Sequence, residues 1–117
     1  MNINDFDRLY RRTTTGIGVT GEIVRLRLGP IGAKTLRVLT HVTVENKSSA
    51  YTKCRLGIAA GGRDHYLDEL QNIAAEELAV SRSDVLLAEG DYFFAELTGT
   101  TSGDGLVMTC VGWTKGL

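Results

Sequence analysis

The stretch Leu36-Arg37-Val38-Leu39-Thr40-His41-Val42-Thr43-Val44-Glu45 decides the fold. Leu36, Val38, Thr40, Val42 and Val44 alternate with Arg37, Leu39, His41, Thr43 and Glu45. A period of two is that of a strand with one face in the core. Asn46-Lys47-Ser48-Ser49 follows as a polar turn. Working upstream, Val24, Leu26 and Leu28 alternate with Arg25 and Arg27, and this run stops at Gly29-Pro30-Ile31-Gly32, which holds the single proline. Working downstream, Thr52, Cys54, Leu56 and Ile58 alternate with Tyr51, Lys53, Arg55 and Gly57. Gly61-Gly62 supplies the positive-φ pair of a tight hairpin, leading into a strand at Tyr66–Leu70.

Residues 71–81 contain good helix formers, yet the segment is barely three turns long and lies between strands, so it reads as an extended or mixed connection. Val85-Leu86-Leu87 precedes the turn Glu89-Gly90-Asp91. Tyr92 to Leu97 then sets Phe93, Ala95 and Leu97 on one face and Tyr92, Phe94 and Glu96 on the other. Thr101-Ser102-Gly103-Asp104-Gly105 reads as a hairpin loop before a last strand, Leu106 to Trp113. Seven or eight short strands with turn signals every ~8–12 residues predict an all-β chain, an antiparallel β-sandwich of jelly-roll type.

The chain has 117 residues, enough for one domain with a core of its own. It is 43% hydrophobic and 23% charged, which excludes a disordered chain. No run approaches the ~18 apolar residues of a membrane span. The opening Met-Asn-Ile-Asn-Asp-Phe-Asp is acidic and polar, unlike a signal peptide, and synthesis in the cytoplasm is expected.

Residues 1–18 stand apart as an N-terminal arm ahead of a sandwich domain at 19–117. Asn4 and Asp5 can cap a short helical turn with Phe6, Leu9 and Tyr10 on one face and Arg8, Arg11 and Arg12 beside the other. Thr13-Thr14-Thr15-Gly16-Ile17-Gly18 then reads as extended and flexible. Such an arm packs on its own domain or reaches a neighbour, and the sequence leaves both open.

The net charge of −1 hides a split. Residues 1–63 carry eleven Lys and Arg against four acids, and residues 64–117 carry two against ten, so the halves stand at +7 and −8. Intermixed halves would neutralise each other locally. Segregated halves would give a basic and an acidic face suited to copies of the chain or to a large anionic surface. No dense basic run with interleaved aromatics points to reading of nucleic acid.

Chemical motifs are weak. Gly16-Ile17-Gly18-Val19-Thr20-Gly21 fits the dinucleotide pattern, but three threonines precede it and a strand follows, so the turn from strand into helix that the pyrophosphate needs is missing. It reads as a glycine-rich hinge. His41 and His65 are the only histidines, and Asp64, Asp68 and Glu69 near His65 lack the spacing of a zinc site. His41 reads as a solvent-side strand residue. Cys54 and Cys110 sit in β-patterned runs without a C-x-x-C and read as small buried apolar groups, with one disulfide left open. Asn46-Lys47-Ser48 matches a glycosylation sequon in a turn, and Asp91 and Asp104 are turn residues expected to bond their own backbone rather than calcium. Tyr92, Phe94 and Trp113 offer rings for a sugar or protein partner, or for burial.

Four segments, RVLTHVTVENKSS at 37–49, GGRDHYL at 61–67, LLAEGDYFFAELTG at 86–99 and GDGLVMTCVGW at 103–113, resemble small β-sandwich structural proteins of tailed-bacteriophage virions. The shared features are architectural, and they leave the arm outside. The resemblance implies a non-enzymatic virion subunit, without cofactor or metal: a capsid decoration (cement) protein, a neck or head–tail connector, or a tail accessory. Its partners would be copies of itself, a trimer among the candidates, and a major capsid or neck protein, with no membrane. The contact residues expected are Phe6, Arg8, Leu9, Tyr10, Arg11 and Arg12, and removal of residues 1–15 is expected to spare the fold and abolish attachment. The alternative is a carbohydrate- or receptor-binding sandwich using Tyr92, Phe94 or Trp113.

Overall fold

The computed structural model describes residues 8–117. Among these residues nine strands form: β1 (Arg8–Ile17), β2 (Val24–Arg27), β3 (Thr35–Asn46), β4 (Tyr51–Ala60), β5 (Arg63–Ile73), β6 (Ala79–Val80), β7 (Val85–Leu87), β8 (Tyr92–Thr98) and β9 (Gly105–Gly116). One sheet runs β1-β9-β3-β6, with β7 also on β3; the other runs β2-β8-β4-β5, and every pairing is antiparallel. The chain is an all-β sandwich, as the turn spacing predicts.

Leu39, Val42, Val44, Met108 and Cys110 from one sheet meet Leu26, Cys54, Leu56, Phe93, Ala95 and Leu97 from the other, all buried. The chain crosses between the layers at nearly every connection. The β4–β5 hairpin stays within a sheet, and its turn is Gly61-Gly62, with φ of 61° and 76°. Side chains rarely adopt such backbone, which explains the glycine pair. The 101–105 loop, by contrast, is no hairpin. It carries the chain from β8 in one sheet to β9 in the other.

Two further expectations need correction. At Leu9 and Tyr10 the backbone is strand, not helical turn. Arg8–Ile17 pairs with β9 residue for residue, from Arg8↔Thr114 to Ile17↔Gly105. Tyr10 packs on the core from this strand, an anchor that a period of two satisfies as well as a helical turn. Residues 8–17 are therefore built into the sheet, and deleting residues 1–15 would strip most of an edge strand from β9. Phe6, and the capping residues Asn4 and Asp5, lie outside the described residues.

The strict alternation of 36–45 also breaks. The β3–β9 register shifts between Leu39 and His41. Thr40 occupies the irregularity and donates from Oγ1 to the Val111 carbonyl at 3.2 Å. The extra residue switches the phase, so Leu39 joins Val42 and Val44 in the core while Leu36 and Val38 stay half-buried. Across from it, a Cβ on Gly112 would collide with the Val38 carbonyl oxygen and lie 2.9 Å from Leu39 Cα. Residues 71–81 comprise the end of β5, a turn and the short β6, the mixed connection expected.

Candidate assembly surfaces

The two outer sheet faces differ in chemistry. On the β2-β8-β4-β5 face, Phe94 is fully buried although it points away from the core side occupied by Phe93 and Ala95. The Arg25 guanidinium lies 3.7 Å from its ring centroid, and Tyr66 meets it edge-on at 5.7 Å. Gly57, its neighbour on β4, leaves the room, since a Cβ there would be 2.8 Å from Phe94 Cζ. Arg25 also donates to both oxygens of Asp64, at 3.1 and 2.9 Å. This holds the Asp64 carboxyl below its ordinary range and raises Arg25. Tyr66 donates to Glu96 at 2.7 Å, and Arg55 to Glu69 at 2.7 Å. Arginines of the basic half thus meet acids of the acidic half, and on this face the charge split is neutralised locally.

That network accounts for the acids around His65. Asp64 and Glu69 each face an arginine here, and Asp68 lies 3.6 Å from Arg82. His41 is on β3 in the other sheet, exposed on the side away from Val42. Among the described residues, no three His, Cys, Asp or Glu side chains come together to hold a metal ion. The rings singled out by the sequence do not share a face either. Tyr92 and Phe94 belong to this sheet, Phe94 under Arg25, whereas Trp113 is on β9 in the other.

The outer face of the five-stranded sheet carries one apolar row among polar ones. The registers Leu9↔Trp113, Trp113↔Val38 and Val38↔Leu86 set four large apolar side chains in one row across β1, β9, β3 and β7. Leu9 is 71% and Leu86 59% exposed, while Val38 and Trp113 are half-buried. Arg11, Val111 and His41 form the next row, and Thr13, Thr109 and Thr43 the one after. The row thus leaves large apolar side chains open at its two ends, Leu9 on β1 and Leu86 on β7. Sequence reading missed the row because its members come from four strands, and β1 was read as an arm.

The expected contact residues fall in two groups along β1. Leu9 and Arg11 belong to this outer face. Arg8, Tyr10 and Arg12 alternate with them, and Tyr10 lies under the Arg37 guanidinium, 3.9 Å from the ring centroid. Burial raises the Tyr10 hydroxyl above its ordinary pKa. Arg8, Arg11 and Arg12 are exposed, and none meets an acidic side chain among the described residues.

At one end of the sandwich the β3–β4 turn is locked to the β8–β9 loop. Asn46 is fully buried. Its Nδ2 donates to Asp104 Oδ2 at 2.8 Å, and its Oδ1 accepts from the Ser48 and Ser49 amides at 2.9 and 3.2 Å. Asp104 Oδ2 also accepts from Ser49 Oγ and the Thr101 amide, and the donors, Asn46 foremost, hold its pKa below the ordinary carboxylate range. The sequon nitrogen is thus committed inside the fold, and Asp104 serves its own loop.

No protein-family model matches this chain, and no curated protein resembles it in sequence. Solved structures do share its fold. A structure described as an alpha-L-fucosidase from Bacteroides thetaiotaomicron aligns over 85% of this chain with a TM-score of 0.51 and 4% identity. The GH26-CBM35 beta-(1,4)-mannanase of Podospora anserina aligns over 89%, with a TM-score of 0.50 and 10% identity. A looser likeness, to the Gt strain of infectious bursal disease virus, covers 93% of this chain and 33% of that one, with a TM-score of 0.46 and 8% identity. The chain spans only 21% and 27% of the first two proteins. What the first two share with it is the sandwich.

Proposed function

We propose that this chain is a non-enzymatic structural subunit of a bacteriophage particle, a capsid decoration protein that associates with itself and docks on the assembled shell. A head–tail connector or tail accessory uses the same surfaces and is the nearest alternative. The carrying observation is the row Leu9–Trp113–Val38–Leu86, laid across four strands with Arg11 beside it on the same face and Arg8 and Arg12 on the same edge strand. A flat apolar strip with a basic margin suits a broad protein surface of acidic character, which the margin steers and the strip holds. The site of action is then the virion, the partner is the major capsid or neck protein, and the chain acts without cofactor.

The sugar-binding alternative fares less well. Stacking on a sugar needs open rings on one face, and Phe94 is covered by Arg25 while Trp113 belongs to the other sheet.

The test is co-sedimentation of the full chain with particles lacking it. Saturable binding is expected, with binding lost in Leu86→Asp and weakened by added salt in step with Arg11→Glu. Saturable binding that neither substitution disturbs would overturn the assignment of the surface, and the absence of binding would overturn the function.

A further inference from the structure

Among the described strands, β1 is the one long edge without interruption. Within the sheet its one partner among the described strands is β9, paired over ten residues with no register shift, while Gly16 lies against Leu26 and Val24 of β2 in the other layer. The other edges are blunted. β2, β6 and β7 are four, two and three residues long. β5 is longer, but its register against β4 shifts between Leu56 and Gly57, and its acids are tied to Arg25, Arg55 and Arg82. Short strands, bulges and charged side chains are the ways sheets prevent edge-to-edge pairing. β1 has neither shortness nor bulge, and its charge is placed to one end.

That placement makes the strand complementary to itself. Consider an antiparallel pair of β1 strands about a twofold axis through Thr13. On the outer face, Leu9 then stands opposite Ile17 of the second copy, Arg11 opposite Thr15, and Thr13 opposite its own copy. On the inner face, Tyr10 stands opposite Gly16 and Arg12 opposite Thr14. No arginine faces an arginine. An axis through Arg11 or Arg12 would set that arginine against itself, and one through Tyr10 would set Arg8 against Arg12, arrangements that like charge disfavours. The Thr13 axis also covers two of the most exposed large apolar side chains, Leu9 at 71% and Ile17 at 68%, each twice.

We infer that two copies join β1 to β1 about Thr13, merging their five-stranded sheets into one continuous sheet. A twofold axis of this kind makes an isologous contact. The apolar row of each copy then runs on from Leu9 to Ile17 of the other, on the same side, with the arginines of both copies flanking the seam. This deepens the self-association in the proposed function and rests on it. For this edge it replaces the trimer expected from the sequence with a pair.

Cysteine cross-linking of the full chain tests it. The native Cys54 and Cys110 are buried and do not compete. Oxidation of Thr13→Cys should give a disulfide dimer at least ~10-fold faster than Arg11→Cys, because paired Cα atoms lie ~5.5 Å apart and the two Arg11 positions ~14 Å apart. Mixed Arg11→Cys and Thr15→Cys chains should cross-link with each other. Thr13→Lys should weaken the dimer at least ~10-fold in sedimentation equilibrium, since it places like charges on the axis, with an unchanged circular dichroism spectrum. Equal rates for Thr13→Cys and Arg11→Cys, or a wild-type chain that stays monomeric, would overturn the inference. Co-sedimentation with particles is read separately. Binding without Thr13 cross-linking overturns the seam alone, and cross-linking without binding supports the seam and overturns the proposed function.

Discussion

Replacing Asn46 with Ala removes the pin between the β3–β4 turn and the β8–β9 loop. Three hydrogen bonds go: one donated to Asp104 at 2.8 Å and two accepted from Ser48 and Ser49. The Asn46 side chain is fully buried, and its loss leaves the part-buried Ser48 and Ser49 amides without this partner, while Asp104 keeps the Ser49 hydroxyl and the Thr101 amide. Such losses sum to ~2–4 kcal/mol. Against a total stability of ~5–15 kcal/mol the variant still folds, and its Tm falls by roughly 8–16 °C for a domain of this size. Differential scanning calorimetry at neutral pH reads this directly. Lys47→Ala, next door on an exposed ion pair with Glu45, should leave Tm unchanged.

The same pin has a pH signature. Donors around Asp104 lower its pKa in the folded state, so its contribution is complete above the ordinary carboxylate range and is lost as pH falls through the lowered value. Asn46→Ala removes the foremost donor, so the gap between variant and wild type should narrow in acid. Asn46→Asp would set a second carboxylate against Asp104, destabilising more than Ala at neutral pH and recovering as one of the pair takes a proton. A Tm for Asn46→Ala within ~2 °C of wild type, far below the shift such a loss implies, would refute the pin.

Two further outcomes follow from the core. Gly112→Ala forces a methyl onto the Val38 backbone across the β3 irregularity, and urea denaturation should show a loss of about 3 kcal/mol or more, at the upper end for overpacking. Gly29→Ala, with open space around it, should be neutral; equal effects would mean that β3 and β9 pair differently. Cys54 and Cys110 are buried, with thiol pKa values pushed up to about 11 and about 12. Neither should react with a thiol reagent at neutral pH until the protein unfolds, and prompt labelling of the native protein would contradict their place in the two layers.

Much of the fold is legible locally. Gly61-Gly62 names its turn, and Phe93, Ala95 and Leu97 keep their period of two into the core. What the sequence conceals depends on partners distant in the chain. Tyr10 anchors a strand or a helical turn equally well, and pairing with Gly112 on β9, at the far end of the chain, decides between them. Leu39 enters the core through a bulge at Thr40, a device with no signal in a run of alternating Val and Thr. Phe94 lies on the outward side of β8 but is roofed by Arg25, a residue distant in the sequence. Of the outer face, the expected contact residues include Leu9 and Arg11, whereas Val38, Leu86 and Trp113 join Leu9 only once four strands are in register.

As a particle component that acts through its surfaces, the chain should travel with the particle. Quantitative mass spectrometry of gradient-purified phage particles, grown from a genome that carries the gene for this chain, is the test. The chain should be found in fixed, high stoichiometry to the major capsid protein. Its absence from the particles, with the full amount left in the soluble lysate, would rule out a role in the virion.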